Sequence, residues 1–96
     1  MPTVPAGQIG AHNLTLTANT VTEVDFADDV DTVEVLSDGT APVYVTVDGS
    51  SPTVGGANCY LLPAAIGAKE LHPPTAGGTV VKLISAGTPT VSVAKV

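Results

Sequence analysis

The chain has 96 residues, nine carboxylates against three lysines and no arginine, and a formal net charge of −6. This length allows one domain and not two. Three lysines cannot neutralise a phosphate backbone, so nucleic acid is excluded as a partner, and an acidic membrane surface repels the chain. Aromatic residues are limited to Phe26, Tyr44 and Tyr60, so the core has to be built from Val, Leu, Ile and Ala. Such a core sets roughly 1.5–3 kcal/mol per buried large aliphatic side chain against roughly 1–2 kcal/mol per ordered backbone residue. The balance is narrow for a lone copy, and association is expected to supply further burial.

Residues 1–12 hold Pro2, Pro5, Gly7 and Gly10 around isolated Val4 and Ile9. This composition predicts an extended N-terminal arm, packing on a neighbour through Val4, Pro5 and Ile9. A basic region followed by an apolar segment is missing here, so no secretory signal is expected, and no run is long enough to span a bilayer. Cys59 has no second cysteine to pair with. These features predict a protein made and folded in a cytoplasm.

From residue 13 onward the side chains alternate. Asn13–Ala18 places Leu14 and Leu16 on one face, and Asn19 follows as a turn residue. In Thr20–Phe26 the alternation slips between Val21 and Val24, which predicts a bulge or a strand starting at Glu23. Asp28, Asp29 and Asp31 make an acidic loop. Thr32–Ser37 alternates through Val33 and Val35, and Pro42–Val47 through Val43, Val45 and Val47. The Asp38-Gly39 between them predicts a hairpin. A second Asp-Gly, at 48–49, ends that strand, and Ser50–Gly56 reads as a loop. Ala57–Leu62 is the next strand, with Cys59 and Leu61 on one face. Pro63–Ala68 reads as a loop, Lys69–Leu71 as a short edge strand, and residues 72–78 as another loop. Thr79–Ser85 is apolar on both faces, with Val81 and Leu83 on one and Val80 and Ile84 on the other. Such a strand is either central in a sheet or in contact with another subunit. Thr90–Lys95 closes the chain through Val91 and Val93.

About seven or eight short strands, separated by Gly, Pro, Asn and Asp clusters, predict an all-β fold. The expected architecture is a single small β-sandwich over 13–96, Ig-like or jelly-roll-like, preceded by the arm over 1–12. The candidate contact residues, for a second subunit or a larger surface, are Val4, Pro5, Ile9, Val80 and Ile84.

Residues of chemical interest do not assemble into a site. Asp28, Asp29 and Asp31 lack the Gly-centred spacing of a calcium loop, so the acidic stretch reads as a solvated loop. His12, Cys59 and His72 lack zinc-ligand spacing. A thiol nucleophile at Cys59 would need a pocket and an oriented base. No catalytic residue, metal or cofactor is expected, and the chain reads as a non-enzyme. Tyr44 and Tyr60 are the only candidate platforms for a sugar, and both read as core or interface residues.

Two resemblances attach to these strands. Val43-Tyr-Val-Thr-Val-Asp-Gly-Ser-Ser-Pro-Thr53 is similar to a strand-and-turn signature of the small Ig-like module of chitobiase-type enzymes. More widely, four runs resemble small virion proteins of tailed phages, of the capsid decoration (cement) kind. They are Thr32–Gly49, then Pro52-Thr-Val-Gly-Gly with Leu62-Pro-Ala-Ala-Ile-Gly, then Thr79-Val-Val-Lys-Leu-Ile-Ser-Ala-Gly-Thr-Pro. This resemblance implies a β-sandwich on the outer surface of a phage capsid lattice, clamping the major capsid protein as a homotrimer, and hence a location in the virion. It names no site residue. The alternative is an Ig-like binding module for carbohydrate or a host surface, including a tail or head-fibre component.

Overall fold

Apolar residues at period two become the inner faces of two sheets. Val24 and Phe26, Val33 and Val35, Val43 and Val45, Val81 and Leu83, and Val91 and Val93 are all buried, and join Val4, Leu16, Leu62 and Leu71 in one core. The structure, a computed structural model, describes residues 3–5, 7–27, 32–47, 50–56, 59–63, 68–72 and 79–95, without the side chains of His12 and Lys69. Among the described residues there is no helix. The strands are β1 (Thr3–Val4), β2 (Gly10–Thr15), β3 (Thr22–Phe26), β4 (Val33–Ser37), β5 (Val43–Thr46), β6 (Tyr60–Leu62), β7 (Ala68–Leu71), β8 (Thr79–Ile84) and β9 (Thr90–Lys95).

The fold is the expected all-β sandwich. One sheet has the order β1-β3-β8-β5-β6 and the other β2-β9-β4-β7. Every neighbouring pair is antiparallel except β1 with β3. Among the described strands, the connection from β5 to β6 alone stays within a sheet, and every other connection carries the chain across to the facing layer. β8, apolar on both sides, is central in its sheet, between β3 and β5. The edge strand expected over Lys69–Leu71 forms and takes in Ala68 as well, paired with β4.

The hairpin expected around Asp38-Gly39 is not formed. β4 pairs with β7 and β9, whereas β5 pairs with β6 and β8. Two anchors hold the intervening turn in a crossover. The Asp38 N–H donates to the Thr90 carbonyl (3.0 Å), and Asp38 Oδ2 accepts from Thr90 N–H (3.1 Å), which keeps the end of β4 on β9. At the start of β5, the buried Ser85 hydroxyl donates to the Pro42 carbonyl (2.7 Å), beside the end of β8. Crossing the layers lets Val33 and Val35 face Val43 and Val45 across the core. A hairpin would leave both pairs on one sheet.

Asp38 also accepts from Thr40, at its N–H (3.1 Å) and its hydroxyl (2.8 Å). These donors, the Thr90 N–H first and then the two from Thr40, hold its carboxyl below the ordinary 3.8. A depressed folded-state value contributes stability that is complete above the unfolded value and is lost as pH falls through the folded one. Asp38→Ala is therefore expected to lower Tm at pH 7. Its deficit against wild type should shrink as melts are taken down through pH 4 and below. A deficit that stayed constant across that range would show that the carboxylate charge is not what the turn uses.

The N-terminal segment is extended, and it lies on its own chain. Val4 is 2% exposed within the core, and its carbonyl accepts from Ala27 N–H (2.9 Å). Pro5 to Gln8 makes a turn, with Gln8 N–H on the Pro5 carbonyl (3.1 Å) and Gly7 at φ 84°. The Ile9 carbonyl then accepts from Lys95 N–H (2.8 Å), and β2 starts at Gly10.

A bulge lies in β2 between Ala11 and Leu14, with Asn13 at φ 57°. Of the two readings of the slip between Val21 and Val24, the bulge is absent, because the ladder with β8 runs unbroken from Thr22 to Phe26, and the late start is found, at Thr22, one residue before Glu23. Val21 lies just outside that strand.

Candidate functional site

Cross-strand register decides which residues share a face, since directly opposed residues project to the same side. On the outer face of the five-stranded sheet, Glu23 opposes Lys82, and Lys82 opposes Thr46. The Glu23–Lys82 ion pair spans 3.7 Å between partly exposed side chains, a geometry that contributes about 0–1 kcal/mol. A second row runs Thr3, Asp25, Val80. There Asp25 Oδ1 is buried without a hydrogen-bond partner among the described residues. A third row runs Ile84, Tyr44, Leu61 and is wholly apolar apart from the phenol.

The loop after β5 builds the margin of that third row. The Thr46 hydroxyl donates to the Ser50 carbonyl, which turns the chain back, and Pro52 is buried. Thr53 to Gly56 forms a turn closed by Gly56 N–H on the Thr53 carbonyl (2.9 Å), with Gly55 at φ 73°. The half-buried Cys59 thiol reaches the carbonyls of Gly56 (3.4 Å) and Thr53 (3.8 Å). This ties the turn to the start of β6. The outcome is a corner carrying Val54, Tyr60 and Leu61, which are 41%, 47% and 46% exposed. Among the described residues, the other large apolar side chains in the open, Ile9, Val21 and Leu36, lie apart from one another in the chain. From residue 49 to 68 the sequence has no Asp, Glu, Lys, Arg or His, so this stretch brings no charged side chain of its own to the corner.

The residues expected at a contact surface have mixed fates. Val4 belongs to the chain's own core, and Ile84, at 7% exposure, is also covered. Their burial comes from within the chain, so neither offers surface to a partner. Val80 is half-buried beside Asp25. Pro5 and Ile9 are exposed, Ile9 at 67%. Tyr60, read from the sequence as a core or interface residue, is 47% exposed, and Val54 and Leu61 were not among the expected contact residues. The charge-free run between residues 49 and 68 was the signal that marks them.

The chemistry-bearing residues stay dispersed. Cys59 is spent on the turn just described, and His72 Nδ1 lies 3.1 Å from the Thr32 hydroxyl. Among the described residues no group of three His, Cys, Asp or Glu side chains could hold a metal ion. Asp28, Asp29 and Asp31 lie outside the described residues, as do the second Asp-Gly and the side chain of His12. No helix among the described residues is long and apolar enough to cross a membrane.

The outer face of the four-stranded sheet carries a row of its own. Glu34 and Glu70 stand directly across from each other on β4 and β7, with Ala94 and Gly10 completing the row. Like charges so placed oppose pairing. Glu70→Lys is expected to raise stability by about 0.2–1 kcal/mol at low salt, and by less at high salt. Urea unfolding at the two ionic strengths measures it, and a destabilised variant would mean that the carboxylate has another partner.

The sequence matches no protein-family model and none of the curated proteins. Its structure is similar to the crystal structure of PliG from Aeromonas hydrophila, a periplasmic lysozyme inhibitor of g-type lysozyme. The TM-score is 0.55 at 20% sequence identity, over 97% of this chain and 95% of that one. The likeness spans nearly the whole of both chains and concerns the fold: this chain is built as an all-β body of the same architecture as that inhibitor.

Proposed function

We propose that this chain is a non-enzymatic structural protein of a tailed-phage virion, binding the outer surface of the capsid lattice and stabilising it as a homotrimer. The observation that carries the reading is the apolar corner at Val54, Tyr60 and Leu61, a surface suited to contact with other protein. The dispersal of Cys59 and His72 agrees with it, as does the resemblance of residues 32–91 to capsid decoration proteins. Repeated copies on a lattice convert weak single contacts into firm attachment. The test is co-sedimentation with assembled shells and with free capsid subunits. Binding to shells alone, with a raised temperature of shell disruption, is the expected result. Failure to bind any assembled shell of the phage that encodes the chain would end this reading.

A second reading is favoured by the net charge of −6 together with the likeness to a lysozyme inhibitor. An acidic β-sandwich is suited to a basic partner through electrostatic steering. In this reading the chain binds and inhibits a basic cell-wall hydrolase. A lysis assay with g-type lysozyme separates the two: undiminished lysis at excess inhibitor removes the second reading.

A further inference from the structure

We infer that β1 is a latch: it leaves β3 and returns while the rest of the sandwich stays folded, with Val4 as the side chain that holds it shut and Asp25 as the group that opposes closure. The inference concerns the single chain and stands apart from both readings of its function.

The latch is fastened at few points. β1 has two residues, paired in parallel with Asp25 and Phe26 at the margin of its sheet. Among the described residues from 3 to 9, Val4 alone is buried, while Thr3, Pro5, Gly7, Gln8 and Ile9 are exposed. The Val4 side chain sits in the core, and its carbonyl accepts from Ala27 N–H (2.9 Å). The turn behind it faces open space, since a Cβ at Gly7 would meet nothing within 4 Å. Pairing with the body resumes in the other sheet, where the Ile9 carbonyl meets Lys95 N–H and β2 lies on β9. One buried side chain thus has to offset the conformational freedom lost over the whole segment. Segments so placed open at a free energy well below that of global unfolding.

Asp25 sets a cost against the closed state. It stands between Thr3 and Val80 in its row, and its Oδ1 is buried without a hydrogen-bond partner among the described residues. A carboxylate oxygen taken from water without a donor is costly. Val80 is apolar, and Glu23, two residues away on the same face, is paired with Lys82 and has no proton to give when ionised. With β1 away, β3 becomes the edge of its sheet, and water reaches Asp25 from the side on which Thr3 stood. Closure therefore sets the burial of Val4 against the desolvation of Asp25. The bared edge carries Glu23 and Asp25, and charge on an edge strand discourages pairing with another chain. The slot is left to β1, which recloses on it.

The test is native-state amide exchange on the full chain at neutral pH, read at Ala27 against β8, the central strand. Ala27 N–H is expected to exchange about a hundredfold faster than the slowest amides of β8, at a rate that dilute urea leaves unchanged while β8 accelerates. Val4→Ala should speed Ala27 about tenfold or more. Asp25→Asn, of the same shape without the charge, should slow it about fivefold or more. Glu23→Gln also removes one charge, but from a residue that β1 does not oppose, and should leave Ala27 unchanged. If Ala27 shares the rate and the urea dependence of β8, β1 opens only with the whole fold and the inference is overturned. An unchanged Ala27 rate in Val4→Ala overturns it too. No slowing in Asp25→Asn, or equal slowing in Asp25→Asn and Glu23→Gln, removes the role given to Asp25. Wild type and Asp25→Asn decide the matter even where Val4→Ala folds poorly.

Discussion

Leu83→Ala is expected to lower the free energy of unfolding by about 2–5 kcal/mol, the range for truncating a buried leucine to alanine. Leu83 has no exposed surface. It lies on the central strand of the five-stranded sheet, opposite Thr22 on β3 and Val45 on β5. The loss has two parts, the transfer free energy of the removed methyl groups and the contacts forfeited around the cavity they leave. Val45, directly across on β5, and Val81, on the same face of β8, are β-branched and stiff, so the site has little means of collapsing. Small domains are stable by only about 5–15 kcal/mol, and about 1 kcal/mol moves Tm by roughly 4–8 °C at this size. The variant should show a much lower urea midpoint with an unchanged slope. Leu36→Ala, on the outer face at 39% exposure, is the control and should cost far less. Equal effects at the two positions would mean that the core is not organised around β8.

Gly10→Ala is the second large effect, and it acts by addition. A Cβ at Gly10 would lie 2.6 Å from Ala94 Cα and closer still to the Val93 carbonyl oxygen. Both obstacles are backbone of β9, the neighbouring strand, so no rotamer change relieves them. Either β2 lifts from β9 or β9 shifts against β4, on its other side. Overpacking of this kind costs about 1–3 kcal/mol, and more where backbone must move. The hydrogen bond from Lys95 N–H to the Ile9 carbonyl is the first expected casualty. Amide exchange at Lys95 should accelerate well beyond the change in global stability. Gly7→Ala is the matched comparison: that Cβ meets nothing within 4 Å, and its cost is confined to the φ of 84°. A Gly10→Ala protein as stable as wild type would show that β2 is not held against β9 as described.

Much of the strand content was open to reading, because period-two alternation records which side of a strand is dry. Val33 and Val35, Val43 and Val45, Val81 and Leu83, and Val91 and Val93 all face inward as their spacing predicts. Pairing was less accessible. Asp38-Gly39 has the chemistry of a tight turn whether the chain returns beside β4 or crosses to the other layer. The decision came from Thr90 and Ser85, far away in sequence. The bulge at Asn13 had a local sign, a residue that tolerates positive φ, but no break in alternation to announce it. For the contact surface, hydrophobicity alone misdirected the reading. Val4 and Ile84 are apolar and are covered by their own chain, while Leu61 is apolar and open.

What the amino-acid order determined by itself was the all-β class and the aliphatic core, because alternation and composition are properties of short segments and of simple sums. Only the tertiary structure decided that successive strands pass from one layer to the other and that the N-terminal segment lies on its own chain. It alone decided that β6 and its apolar corner come to rest at an edge. Those outcomes depend on which distant backbone groups bond one another and on which apolar faces are already covered, and neither quantity is written in any local stretch of the sequence.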